Sequence, residues 1–106
     1  MVTEATHEDV EQLKKVSLNE IGNLKEYVAL LNNIIENLEQ DIVITRQKAK
    51  DFLKAGQQEN YGHLMERIHE TIMRIDTCKK CVEECNTDLA RKEQRIKEYN
   101  HFLGIK

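Results

Sequence analysis

The chain has 106 residues and a formal net charge of −3, with one third of its residues charged and only 5% aromatic. That length allows one domain at most, and the acidic balance argues against nucleic acid as a partner. A composition so charged and so poor in aromatics suits a long helical protein better than an enzyme with a thick core. No apolar run approaches the roughly 20 residues a membrane span requires. Met1 to Val10 hold no apolar stretch like that of a signal peptide. The expectation is a cytoplasmic protein with no membrane partner, whose three cysteines are reduced thiols.

In chain order, Thr6 is placed to cap a first helix, with Glu8, Asp9 and Glu11 putting negative charge where the helix dipole favours it. From Ile21 onward apolar residues fall on two rows seven apart. One row is Ile21, Val28, Ile35, Ile42 and Ala49; the other is Leu24, Leu31, Leu38, Thr45 and Phe52. Rows offset by three form the a and d seam of helices packed along their length. Before Ile21 the pattern weakens: Lys14 and Ser17 take the seam positions, while Val10, Leu13, Val16 and Leu18 scatter around them. Gly22 stands where the pattern changes and is read as a bend or as the end of a separate first helix. Two arrangements therefore stay open, a two-helix hairpin and a three-helix bundle with a break near Gly22.

Arg46, Lys48, Lys50 and Lys54 make the end of this helix basic, and Ala55-Gly56-Gln57-Gln58 reads as its stop, with Gly56 in the left-handed conformation. Asn60 is placed to cap a second helix. Its seam row runs Tyr61, Ile68, Ile75, Val82, Leu89, Ile96 and Leu103 without a miss, beside a weaker row of Leu64, Thr71, Cys78, Cys85, Lys92 and Tyr99. A connector this short makes the helices antiparallel. With no proline to interrupt it, the chain is expected to be all-α. It reads as one helical domain over residues 1–106: a long antiparallel coiled-coil hairpin with helices at about 7–55 and 61–103 and a turn at about 56–60.

Several apolar residues miss the seam: Tyr27, Leu30, Ile34, Val43, Ile44 and Leu53 on the first helix, Met65, Ile72 and Met73 on the second. A single hairpin does not cover them all, and exposed apolar surface of that extent marks an interface. A homo-oligomer or a hetero-complex with another protein is expected. The partner-binding residues assigned from sequence are Tyr27, Leu30, Ile34 and Ile44, with the basic Arg46, Lys48 and Lys50 beside them.

Two other groups bear on chemistry. Cys78, Cys81 and Cys85 share one helix face, but no second pair of thiols or nearby histidine completes a four-ligand zinc set. Cys78 and Cys85 are read as small core residues, with Cys81 flanking them. Glu66 and His69 form a Glu-x-x-His step that, with Glu36, supplies the parts of a two-helix ferritin-like di-iron site if two hairpins pair. The preferred reading of these three is a solvated face. No catalytic, cofactor-binding or metal-binding residue is assigned, and the chain is not expected to be an enzyme.

The stretch Leu53-Lys54-Ala55-Gly56-Gln57-Gln58-Glu59-Asn60-Tyr61 resembles the first interhelical loop of the tubulin-binding cofactor A family. Glu70 to Cys78, continuing to Asp88-Leu89, is similar to that family's second helix. The chain departs from the family at Gly62-His63-Leu64-Met65-Glu66 and at Asp76, where the family has a helix-kinking proline. This resemblance implies a cytosolic helical chaperone that holds β-tubulin before heterodimer assembly. Glu39 to Asp51 also resembles the N-terminal coiled-coil hairpin of hantavirus nucleocapsid proteins, which implies an assembly hairpin of a larger protein. Both resemblances imply an α-hairpin that binds protein.

Overall fold

A computed structural model describes residues 6–105. Within them the chain is all-α: α1 (His7–Lys54) and α2 (Gln58–Leu103) are joined by a tight turn into an antiparallel helical hairpin. Local chemistry sets the ends of both helices. At the start of α1 the Asp9 amide donates to Thr6 Oγ1 and the Thr6 amide donates to Asp9 Oδ2, each at 3.2 Å. This reciprocal pair satisfies two backbone donors that a helix start would otherwise leave open.

The stop is equally specific. Gly56 has φ 75°, and its amide donates to the Leu53 carbonyl at 3.1 Å while the Gln57 amide donates to that of Phe52 at 2.9 Å. Those two bonds close a Schellman motif, whose left-handed residue is glycine because a Cβ is strained there. The same bonds recur at the end of α2, where Gly104 donates to His101 and Ile105 to Asn100.

The turn is shorter than the sequence suggested. α2 starts at Gln58, so Asn60 lies inside its first turn and does not cap it. Gln57 fills that place, its carbonyl accepting the Tyr61 amide at 3.1 Å and its Oε1 accepting a bond from Asn60 Nδ2 at 2.8 Å. The closure at Gly56 leaves Gln57 already poised to start the next helix.

The break expected near Gly22 is absent: α1 runs unbroken from His7 to Lys54, which rules out the three-helix arrangement. One mid-helix glycine costs only about 1 kcal/mol relative to alanine. Ile21 beside it is buried and Leu24 half-buried, and packing of that kind outweighs the cost.

The residues group into two compact units. One comprises Leu30–Val82; the other comprises, among the described residues, 6–29 with 83–105. In the Leu30–Val82 unit, Ile35, Ile42, Ile68 and Ile75 form the buried cluster, with Leu38, Cys78 and Val82 packed against it. Leu31, Thr45, Ala49 and Thr71 complete the interior. Thr71 is accommodated because its hydroxyl donates to the Arg67 carbonyl one turn back, at 2.9 Å.

In the other unit Val10, Ile21 and Cys85 are buried. Lys14 and Ser17 are half-buried, so the seam keeps its register where its residues turn polar, and Val10, expected to fall off it, is buried on it seven residues before Ser17. Leu13, Val16 and Leu18 stay exposed outside it. Lys92, another polar seam residue, directs its ammonium to the Glu20 carboxylate, and His7 meets Phe102 edge-on with ring centroids 5.4 Å apart.

Two stability outcomes follow from this interior. Ile75→Asp places a carboxylate in the isoleucine cluster, where an unpaired buried charge costs several kcal/mol, about 3 or more. Its melting temperature should fall sharply, whereas Glu36→Gln on the exposed face should leave it unchanged; equal melting curves for Ile75→Asp and the parent would contradict the core. A Cβ at Gly22 would meet no heavy atom within 4 Å. Gly22→Ala should therefore raise stability by about 0.5–1 kcal/mol in urea unfolding, and destabilisation would indicate that α1 is not continuous there.

Candidate protein-binding surface

With the a and d rows turned inward, each helix of the Leu30–Val82 unit presents a flank on either side of the seam. On α1 one flank carries Ile34, Asp41 and Lys48, with Leu30 and Ile44 beside them. The opposite flank carries Glu39, Arg46 and Leu53, with Val43 and Lys50 beside them. The ion pairs between the helices mark the two edges. Asp41 Oδ1 meets Arg67 Nη2 at 3.4 Å on the first, and Glu39 Oε1 meets Lys79 Nζ at 3.9 Å on the second.

These positions divide the partner-binding residues assigned from sequence. Leu30, Ile34, Ile44 and Lys48 share the first flank. Arg46 and Lys50 lie on the second, and Tyr27 belongs to the other compact unit. All seven are exposed, and Leu30 and Ile44 each leave more than half of their surface in solvent.

Each flank forms its groove with side chains of α2. Ile34 and Leu38 line one with Met73, Arg74, Thr77 and Cys78. Arg46, Ala49, Lys50 and Leu53 line another with Tyr61 and Met65. Tyr27 sits in a groove of its own unit, with Glu20, Asn23, Leu24, Asp88 and Lys92. Assigning the contact residues to the first helix alone thus missed Met65 and Met73, each of which completes a groove wall. For Met65 the signal was in the sequence, since it lies just off the second seam on a flank that an antiparallel pairing sets against α1; Met73 lies on the far side of its helix by heptad position, and only the packed side chains bring it to the groove.

The groups considered for chemistry do not converge. Cys85 is buried, and Cys78 and Cys81 are half-buried along the edge of the interior. Glu66 and His69 line a shallow exposed groove with Gly62, Met65 and Glu70. Glu36 lies elsewhere along the hairpin. It precedes Gly56 by 20 residues whereas Glu66 follows it by 10, a mismatch of roughly 15 Å at 1.5 Å per residue. Among the described residues no three His, Cys, Asp or Glu side chains come together as a metal-binding group.

No helix in the described residues is long and apolar enough to cross a membrane. No known protein family, curated protein or solved structure matches this chain.

Proposed function

We propose that this chain is a non-enzymatic protein-binding module that holds helical segments of a partner against the flanks of its hairpin. One observation carries the reading: Leu30, Ile34, Val43, Ile44, Leu53, Met65, Ile72 and Met73 are all large, apolar and exposed within the Leu30–Val82 unit. Full burial of such a side chain is worth about 1.5–3 kcal/mol. Covering even half of what four of them expose would supply a useful share of the affinity of a micromolar complex, about 8 kcal/mol. The hairpin seam is already occupied, so that gain is open to a segment from outside the hairpin.

The finer form of the proposal is a cytoplasmic chaperone resembling tubulin-binding cofactor A, with β-tubulin as the client. Its support is the likeness of the Leu53–Tyr61 and Glu70–Cys78 segments together with the basic run Arg46, Lys48 and Lys50. Tubulin is strongly acidic, so these cations would steer its approach while the apolar side chains hold the complex. A second reading, an assembly hairpin that pairs with copies of itself, rests on the same apolar flanks and on the regular heptads.

Two measurements separate the readings. Purified β-tubulin should bind the parent protein at tens of micromolar or below, with an association rate that falls as salt is added. Lys48→Glu with Lys50→Glu should slow association further while leaving helicity by circular dichroism unchanged. Absence of binding would remove β-tubulin as the partner. Sedimentation equilibrium should show a concentration-dependent dimer if the assembly reading holds, and a clean monomer at all concentrations would exclude it.

A further inference from the structure

We infer that the groove between Leu53 of α1 and Met65 of α2 binds an acidic amphipathic segment of a partner protein, with apolar side chains seated in the groove and carboxylates set against Arg46 and Lys50. The inference rests on the protein-binding reading and specifies the partner's chemistry.

The groove exists because of one small seam residue. Ala49 is 1% exposed and forms its floor, at a position where the same row otherwise carries isoleucine or valine. A methyl group there leaves a hollow, which Tyr61 closes from the turn side and which Leu53 and Met65 wall on either hand. Both wall residues are well exposed, so the lining is apolar and open to an incoming side chain.

Charge determines which partner fits. Arg46 and Lys50 line the α1 side; they are four residues apart and so lie on the same face of the helix. Among the described residues, neither they nor Lys48 nor Lys54 is paired with a carboxylate. Asp51, the one acid in that stretch, accepts a hydrogen bond from Gln47 Nε2 at 3.3 Å. On the α2 side Glu59 faces His63 at 3.8 Å, and Glu66 and Glu70 line the neighbouring groove beyond Met65.

The α1 rim therefore presents unneutralised positive charge directly over apolar walls, and the acids of α2 lie outside the lining. A segment carrying Asp or Glu at helical spacing beside one or two large apolar residues matches both features at once. A uniformly acidic polymer would leave the walls unfilled and would meet Glu66 and Glu70. A purely apolar segment would leave the cations uncompensated.

The test is selection of a random 20-residue peptide display library on the full chain, followed by fluorescence anisotropy of the enriched peptides. The expected winners combine an acidic excess with large apolar residues. Arg46→Glu with Lys50→Glu, and separately Leu53→Ser with Met65→Ser, should each weaken them at least tenfold, while helicity by circular dichroism stays at the parent value. Added salt should weaken binding to the parent and have little effect on the charge-reversed variant.

Winners without an acidic excess would overturn the inference, as would failure to enrich any peptide. So would acidic winners whose binding is lost on Ile34→Ser but kept by both groove variants; that result would leave the protein-binding reading standing on the opposite flank. Binding to β-tubulin or self-association is measured independently of the groove, so failure of the broader reading is recognisable by itself.

Discussion

The packing of two isoleucine-rich heptad rows against each other is the interaction on which the rest of this structure depends. Ile35, Ile42, Ile68 and Ile75 meet in one cluster, and their burial offsets the entropy of ordering two helices that would be marginal alone. An interface between only two helices is narrow. Among the described residues no large side chain is fully enclosed, because each seam residue has a neighbour on one side and a rim toward water. Each further apolar residue beside the seam is consequently left on the surface. The same geometry that holds the hairpin together thus supplies the material for an interface.

Electrostatics refines this arrangement more than it stabilises it. Asp41 with Arg67 and Glu39 with Lys79 span the two edges of the seam. Both pairs are largely solvated and contribute about 0–1 kcal/mol each. Their value lies in register, since a slip by one residue would separate both. The basic end of α1 is different, because among the described residues its cations have no such counterpart. Within the chain they complement the helix dipole, and toward a partner they remain free to pair.

Much of this was legible in the heptads. Rows seven apart, absence of proline and a glycine at the stop specify two paired helices and their turn, because packing period and backbone conformation are local properties of sequence. Gly22 was misread for a physical reason: a glycine beside a polar stretch looks like a break, yet the seam contacts of Ile21 and Leu24 exceed its modest cost. Asn60 was misread as a cap because the turn itself converts Gln57 into one, a role visible only once Gly56 closes the preceding helix. The surface was the least legible part. Leu30, Ile34 and Ile44 were identifiable as off-seam, but their separation from Arg46 and Lys50 depends on which edge of the seam each flank borders. The groove at Ala49 requires Met65 from a helix that sequence treats separately.

Ile35, Ile42, Ile68 and Ile75 form the interior of one chain while Ile34 and Ile44 stand outside it. Methyl-labelled isoleucine in a nuclear Overhauser experiment reads this directly. Cross-peaks should join Ile35 and Ile42 to Ile68 and Ile75, unchanged in number when labelled protein is mixed with unlabelled protein, and none should join Ile34 or Ile44 across the hairpin to Ile68 or Ile75. Cross-peaks joining Ile34 and Ile44 to Ile68 or Ile75, or contacts between α1 and α2 that arise only between separate chains, would contradict this interior.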